Sequence, residues 1–137
     1  MSNDCIFCKI IDGVIPSTTI YEDDEFKAFL DISPANKGHV ILIPKKHVAN
    51  IYEAGEEITS KIFTVAAKIA KAVKKELGCD GVNVLQNNEE AAGQTVFHLH
   101  VHIIPRYEGD GKLVNWSTTS YAEGEAQELA DRLKAAL

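Results

Sequence analysis

Short runs of apolar and β-branched residues, each bounded by turn residues, predict five β-strands along the chain. The predicted strands cover residues 18–21, 26–32, 40–43, 81–87 and 97–104. The acidic residues 22–25 separate the first two runs, and Pro44 ends the third. The strands therefore follow one another closely, with one long interruption between the third and the fourth.

That interruption has the period of an amphipathic helix. Its apolar residues recur at steps of three and four positions, at Ile58, Ile62, Val65, Ile69 and Val73. The acidic pair 56–57 opens the segment, the basic pair 74–75 closes it, and Gly78 is placed to end it. A second apolar stripe, between about residue 122 and residue 137, predicts a surface helix. This stripe consists of Ala126, Leu129, Leu133 and Leu137.

Strands in a run with one long helix inserted predict an α+β fold with a mainly antiparallel five-stranded sheet and a C-terminal helical tail. The sequence contains no internal repeat, no low-complexity segment and no long linker. We therefore expect residues 1–137 to form a single domain.

Composition limits the binding partners and the cellular compartment that we expect for the chain. The net charge of −6 argues against binding to a nucleic-acid backbone, although a small anion could be bound locally. No apolar run approaches the roughly 20 residues of a membrane span, and no secretory signal is visible. The three cysteines are an odd number, which favours a reducing cytoplasm with thiols or metal-bound thiolates.

Three histidines occupy alternate positions of the last predicted strand. Because side chains alternate along a strand, His98, His100 and His102 are expected on one face. The apolar residues between and beside them are expected to face a core, and these are Phe97, Leu99, Val101 and Ile103. Imidazole has an unperturbed pKa near physiological pH, so this row is the candidate active site.

The residues alone leave three interpretations of the row open. The histidines could merely cover a solvated strand face, bind a metal, or perform nucleophilic or acid–base catalysis. Residues two apart on a strand are separated by about 6.6 Å and residues four apart by about 13 Å. His98 and His102 are therefore poorly placed to share one tetrahedral ion, although either could join ligands from elsewhere.

The row and its surroundings resemble the histidine triad (HIT) family. His98 to Ile104 is similar to the motif that names the family, in which three histidines alternate with apolar residues and two apolar residues follow. Further segments resemble HIT segments in the family's order, namely 5–11, 29–34, 38–40, 43–47 and 93–97. The likeness covers about residues 4–107 and, through its Cys-x-x-Cys, is to the Hint-like branch.

The resemblance implies a nucleotide hydrolase or transferase. Such proteins attack the α-phosphate of a nucleoside monophosphate ester or amide, such as an adenosine phosphoramidate, and form a nucleotidyl-histidine intermediate. This implies His100 as the nucleophile, with His102 and Thr95 as the other catalytic residues. The groups expected to bind the phosphate are His102, Asn87, Gly93, Gln94 and Thr95.

Asp31 is the candidate for binding the ribose of a purine nucleotide or nucleotide conjugate. A carboxylate at the end of an apolar strand is often only a turn cap, but it can also accept hydrogen bonds from both hydroxyls of a cis-diol. The resemblance favours the second role for Asp31 and implies that Ile32 lines the base site.

Cys5 and Cys8 form a Cys-x-x-Cys near the N-terminus. From the residues alone, the pair could be redox-active, could be two unligated thiols, or could be half of a metal site completed by other histidines. The resemblance implies a structural zinc ion bound by Cys5, Cys8, His47 and His98. The remaining thiol, Cys79, is expected to be a small buried residue.

Two other activities and one assembly state complete the expectations. A dinucleoside polyphosphate hydrolase is the alternative within the enzymes, and a zinc-stabilised nucleotide-binding or adaptor protein is the alternative outside them. The resemblance also implies a homodimer formed through the long helix and a sheet edge. Trp116 and Tyr121, beyond the matched segments, are expected to pack in the core.

Overall fold

An antiparallel sheet of five strands forms the centre of the molecule, in an α+β architecture, as the sequence pattern predicts. The structure is a computed structural model and describes residues 4–112 and 117–137. The strands are β1 (Thr19–Glu22), β2 (Phe26–Leu30), β3 (Val40–Pro44), β4 (Gly81–Gln86) and β5 (Val101–Arg106). Their order is β1-β2-β3-β5-β4, so the last strand of the chain lies inside the sheet, between β3 and β4.

The long helix α2 (Ile51–Leu77) covers one face of the sheet. Four of the five predicted apolar positions are buried, and Val65 is partly buried against the same core. The sheet contributes residues such as Phe26, Leu42, Val101 and Ile103 to this core. Each large apolar side chain buried there contributes about 1.5–3 kcal/mol to folding, so this contact fixes the helix on the sheet.

Local chemistry sets the limits of α2. The side chain of Asn50 caps the first turn by accepting a hydrogen bond from the backbone N–H of Tyr52. Gly55 then interrupts the helix with a φ of 77° and a ψ of 160°, a conformation reserved for glycine. The predicted start at residue 56 therefore matches the uninterrupted part of the helix, and Gly78 ends it as predicted.

The opposite face of the sheet carries a short helix, α1 (Ile6–Ile11), which the sequence pattern does not predict. Phe7 and Ile10 pack there against Phe29 and Ile41 of the sheet. A helix of six residues is too short to show a period, and its stability comes from this packing rather than from propensity. The face bearing α1 is also the face of the histidines.

The predicted extent of the last strand is wrong at its start. The strand begins at Val101, because the chain before it pairs elsewhere: the N–H of Leu99 donates to the carbonyl of Val48 at 2.8 Å. Leu99, Val101 and Ile103 are buried as predicted. Phe97 instead is half exposed, so its predicted place in the core is also wrong.

The predicted C-terminal helix is present as α3 (Glu125–Ala136), and each of its residues is exposed or half-buried. Tyr121 is exposed rather than packed in the core, and Trp116 lies outside the described residues. Cys79 is buried in the core beneath α2, as expected. Within the described ranges, no helix combines the length and the apolar character needed to cross a bilayer.

Candidate active site and metal centre

His100 is held by its own chain with one ring nitrogen directed away from the backbone. Its Nδ1 lies 2.8 Å from the carbonyl oxygen of His98. A carbonyl can only accept, so Nδ1 carries the proton and Nε2 keeps a free lone pair. The edge of the Phe7 ring packs on the imidazole, with ring centroids 5.2 Å apart. Burial lowers the pKa of His100, which keeps the ring neutral and nucleophilic.

His102 lies beside His100 and receives its orientation from a residue without a predicted role. The backbone N–H of Ala35 donates to Nδ1 of His39 at 3.0 Å, so the proton of this neutral imidazole is on Nε2. That nitrogen lies 2.9 Å from Nδ1 of His102 and donates to it. His102 must therefore carry its own proton on Nε2, as a hydrogen-bond donor.

The proton states of His39 and His102 support this chain of donors. Burial lowers the pKa of His102 to about 4, assisted by the neighbouring His100 and His39. Burial also lowers the pKa of His39, although Asp31 opposes that effect. Both rings are thus neutral near pH 7, as the two hydrogen bonds require. The centroids of the His100 and His102 rings are 4.9 Å apart. The ring of His100, which has the free lone pair, therefore lies beside the ring of His102, which has the N–H donor.

Asp31 caps a turn, which is one of the two roles that its sequence position left open. Its Oδ1 accepts the N–H of Ser33 at 2.8 Å and so caps a turn. Its Oδ2 lies 3.7 Å from Nε2 of His39, and both residues lie close to His102. The adjacent Ile32 is almost fully exposed, an apolar side chain at the rim of this cluster.

The loop between β4 and β5 contains the other polar residues that the sequence predicts for the site. Gly93 has a φ of 99°, and a Cβ there would meet the Asn87 amide at 3.3 Å. The buried amide of Gln94 is committed to the loop itself. Its NH₂ donates to the carbonyls of Ala49 and Val96, and its oxygen accepts the N–H of Glu89. Thr95, the next residue, is exposed.

Cys5, Cys8, His47 and His98 come together on the other side of the His98–His100 segment. One potential ligand atom from each lies within 4.8 Å of the others. Cys5 and Cys8 belong to the start of α1, His47 follows β3, and His98 precedes β5. The two cysteines of the Cys-x-x-Cys are therefore brought close to the two histidines only by the fold. All three cysteines of the chain are thiols rather than disulfides.

The spacing of these donors fits a tetrahedral zinc ion. Zn–S bonds of about 2.3 Å and Zn–N bonds of about 2.05 Å at tetrahedral angles place sulfur and nitrogen about 3.6 Å apart. The sulfur–nitrogen distances are 3.4 Å for Cys5–His98, 3.6 Å for Cys8–His98 and 3.3 Å for Cys8–His47. Nε2 of His98 donates to the carbonyl of Pro44 at 2.8 Å, which leaves Nδ1 free to bind the ion.

A second group of possible ligands, Asp31, His39 and His102, does not form a comparable site. The two imidazole nitrogens face each other at 2.9 Å and share a proton in a hydrogen bond. Two nitrogens bound to one tetrahedral ion would be about 3.3 Å apart, and neither could keep that proton. This group is therefore a hydrogen-bonded chain that orients His102.

The sequence reasoning missed two residues of the site, His39 and Phe7. His39 follows a glycine in a turn, and only the pairing of β3 with β5 brings it to His102. Phe7 lies between the two cysteines, and its ring contacts both His98 and His100. The position of Phe7 inside a Cys-x-x-Cys, next to ligand residues, is the signal that could have identified it.

Comparison with known proteins agrees with this fold and identifies its family. Residues 12–109 match the family model described as "HIT domain". A crystal structure of a HIT family member from Bacillus subtilis is 46% identical, covers 98% of each chain and has a TM-score of 0.92. The adenosine 5'-monophosphoramidase of Schizosaccharomyces pombe is 40% identical over 130 residues, which are 94% of this chain and 95% of that protein.

One similar structure contains the expected metal. It is a zinc-bound histidine triad family protein from Mycobacterium smegmatis, 34% identical, with 98% of each chain covered and a TM-score of 0.76. Zinc binding is thus found among the structural relatives of this chain, and the Cys₂His₂ cluster offers the ligands for it here.

Proposed function

This chain belongs to the histidine triad (HIT) family, and we propose on that premise that it hydrolyses nucleoside monophosphate amides or esters at the α-phosphate. The observation that carries the proposal is the pair formed by the free Nε2 of His100 and the Nε2–H of His102. A buried neutral nucleophile beside a fixed donor suits attack on an anionic phosphoryl group. The activity named for the Schizosaccharomyces relative supports the same substrate class, adenosine phosphoramidates.

In the proposed reaction, Nε2 of His100 attacks the α-phosphorus and a nucleotidyl-histidine forms. The bond from phosphorus to the leaving nitrogen or oxygen breaks, and the leaving group takes the electron pair and a proton from solvent. Water then attacks the same phosphorus and returns a proton to solvent, which releases the nucleoside monophosphate and restores the neutral imidazole. The His98 carbonyl remains bonded to Nδ1–H throughout, so it stabilises the positive charge that the ring acquires.

The donors around His100 stabilise the charge on the phosphoryl oxygens. His102 offers Nε2–H. The backbone donors expected from the Gly93 loop are already engaged, because the N–H groups of Gly93 and Gln94 donate to the carbonyls of Glu90 and Glu89. Asn87 offers its amide beside that loop. Thr95 is the group proposed to assist the leaving group, and Gln94 keeps the loop in place through its three hydrogen bonds.

The nucleoside is proposed to lie toward Asp31. The Asp31 carboxylate, partly exposed and already near His39, would accept the ribose hydroxyls, and the exposed Ile32 would contact a purine base. This arrangement would direct the α-phosphate toward His100, because Asp31 forms one cluster with His39 and His102, and the rings of His102 and His100 are 4.9 Å apart.

Zinc is proposed to be structural. When bound by Cys5, Cys8, His47 and His98, it cross-links α1 to the segments flanking the sheet and has no position left for substrate. His98 connects the two sites, because its side chain offers Nδ1 to the metal while its carbonyl fixes His100. His98 is therefore proposed to bind the metal through its side chain and to orient the nucleophile His100 through its carbonyl.

Hydrolysis of an adenosine phosphoramidate by the wild-type chain and by His100→Ala tests the proposal. We expect release of AMP by the wild type and a loss of at least about a thousandfold in the variant, since removing a nucleophile abolishes its pathway. Circular dichroism and zinc content should be unchanged. Quenching without acid should trap a phosphorus adduct on His100 of the wild type.

Two results would contradict the proposal. Release of AMP by His100→Ala at the wild-type rate would remove His100 as the nucleophile. Binding of AMP without any turnover or adduct would make the chain a nucleotide-binding protein. A parallel assay with a dinucleoside polyphosphate compares cleavage of P–O–P and P–N bonds.

A further inference from the structure

Two of the three cysteines lie next to each other in the proposed zinc cluster. Cys5 caps the start of α1 and Cys8 lies in its first turn, with the two sulfur atoms within 4.8 Å of each other. The backbone N–H of Cys8 donates to Sγ of Cys5 at 3.3 Å, which turns the Cys5 side chain toward Cys8. Rotation of the two side chains, with a small shift at this helix end, brings the sulfurs to the disulfide bond length of about 2.05 Å.

A cavity gives small molecules access to one of these two sulfurs. It encloses about 400 Å³, and its lining includes two of the four proposed zinc ligands, Cys5 and His47. Most of the remaining lining consists of Ile6, Thr95, Val96 and Phe97. Hydrogen peroxide has the size of about two water molecules, roughly 60 Å³, and fits into this space. Cys5 is thus the sulfur that a dissolved peroxide meets first, whereas Cys8 is 1% exposed.

The third cysteine has a different environment. Cys79 is buried in the apolar core between α2 and the sheet, outside the metal cluster. A thiol enclosed by apolar side chains is inert toward dissolved oxidants. Cys79 therefore serves as the reference thiol of the chain.

We propose that Cys5 and Cys8 form a peroxide-sensitive pair whose oxidation to a disulfide releases zinc, with the zinc site of the proposed function as the premise. Cys5 is the attacking sulfur because it lines the cavity, and Cys8 is the resolving sulfur because it lies beside Cys5. The oxidant is a hydroperoxide, which is small enough for the cavity and supplies the two electron vacancies that a disulfide requires.

The reaction has two steps. The thiolate of Cys5 attacks one oxygen of hydrogen peroxide, the O–O bond breaks, and the other oxygen leaves with the electron pair as hydroxide, so that Cys5 becomes a sulfenic acid. The thiolate of Cys8 attacks this sulfur, the S–O bond breaks, and a second hydroxide leaves. Two protons from solvent convert both hydroxides to water. The disulfide offers no thiolate, so zinc loses two of its four ligands and dissociates.

Loss of the metal also affects the proposed nucleophile. The connection that zinc makes from α1 to His47 and His98 is gone. The ring of Phe7 in α1 packs on His100 with centroids 5.2 Å apart, and the carbonyl of His98 accepts the N–H of His100. We expect oxidation to slow AMP release by about tenfold, as when the support of a functional imidazole is removed.

Exposure of the reduced, zinc-loaded full chain to hydrogen peroxide tests the proposal. Zinc content is measured first, released zinc is followed with a chromogenic chelator, and thiols are counted by alkylation and peptide mass spectrometry. We expect about one zinc ion released per disulfide formed. The peptide containing Cys5 and Cys8 should become lighter by two hydrogen atoms, while Cys79 should still be alkylated. Dithiothreitol with added zinc should reverse these changes and restore AMP release.

Three single variants identify the roles of the sulfurs. In Cys8→Ser the second thiol is missing, so the sulfenic acid should persist and dimedone should label Cys5. In Cys5→Ser the sulfur that lines the cavity is missing, so Cys8 should react with peroxide at least about tenfold more slowly. Cys79→Ser is the matched control and should form the disulfide and release zinc as the wild type does. Circular dichroism checks that each variant is folded.

Four results would overturn the proposal. They are retention of zinc after the disulfide has formed, full alkylation of Cys5 and Cys8 after peroxide, oxidation of Cys79 before Cys5, and unchanged AMP release by the disulfide form. Absence of zinc from the starting protein would refute the metal site together with this proposal. Failure of the proposed hydrolysis gives a different result, because the reduced protein would then release no AMP while thiol masses and released zinc are measured without substrate.

Discussion

At the scale of single residues, the site is defined by which nitrogen of each ring carries the proton. Each assignment follows from a partner with only one possible role: the Ala35 N–H for His39, the His98 carbonyl for His100 and the Pro44 carbonyl for His98. Backbone groups therefore set the tautomers of His39, His98 and His100, and His39 in turn sets the tautomer of His102.

His39 should be a positioning residue for His102. In His39→Phe the donor to Nδ1 of His102 is lost, so His102 can place its proton on Nδ1 and lose its donor toward the phosphate. We expect kcat to fall by about 10- to 100-fold with little change in KM, as for other residues that orient a functional imidazole. Steady-state assay of phosphoramidate hydrolysis measures both constants.

His39→Gln is the matched control, because its side-chain amide can still donate to Nδ1 of His102. It should recover part of the lost kcat. Equal activity of the two variants, or a loss confined to KM, would show that His39 does not act through the tautomer of His102.

At the scale of secondary-structure elements, we expect the proposed zinc ion to stabilise α1 more than the sequence of α1 does. It has six residues, and both cysteines of the metal cluster stand in or next to it. The ring of Phe7 in α1 also contacts His100, so the position of α1 affects the proposed nucleophile. The zinc ion would thus hold an element that propensity alone leaves unstable.

Replacement of Cys8, a proposed zinc ligand, should therefore weaken the attachment of α1 to the rest of the fold. In Cys8→Ser we expect zinc to fall well below one per chain and the Tm to drop by about 10 °C or more, because metal binding contributes to folding. Elemental analysis and calorimetry measure the two effects. Cys79→Ser changes a buried cysteine outside the cluster and should keep its zinc. Normal zinc content in Cys8→Ser would refute the site.

The sequence predicts the elements better than their contacts. The period of α2 and the five strands are local patterns, and each is present in the structure. The expected zinc ligands and the expected nucleophile, His100, come from a family resemblance that includes local motifs. By contrast, the late start of β5 depends on the bond between Leu99 and Val48, and the role of His39 depends on the pairing of β3 with β5. The local periodicity of a sequence carries no information about such contacts between distant segments.

At the scale of the whole molecule, buried neutral imidazoles link folding to pH. The pKa of His102 is lowered to about 4 in the folded chain, whereas an unfolded histidine titrates near 6.5. Between these values the unfolded chain binds more protons than the folded chain, so stability decreases as the pH falls from 6.5 toward 4. His39 and His100 are shifted in the same direction by burial.

Thermal unfolding at pH 7, 6 and 5 checks this dependence. We expect the free energy of unfolding to fall below pH 6.5 with a slope of up to about 1.4 kcal/mol per pH unit for each shifted histidine. His102→Asn should give a flatter profile, because one of the shifted groups is gone. Identical slopes for the two proteins would show that His102 is not held neutral by the fold.

The position of β5 between β3 and β4 also bears on how the protein is made. A ribosome releases β3 long before β5 and β4 shortly before it, so until Val101–Arg106 emerges their inner edges have no strand to pair with. The strand that closes the sheet carries His102 and directly follows His100. A partly synthesised chain thus cannot place His102 beside its neighbours in the sheet, and we expect the proposed activity to appear only when the sheet is complete.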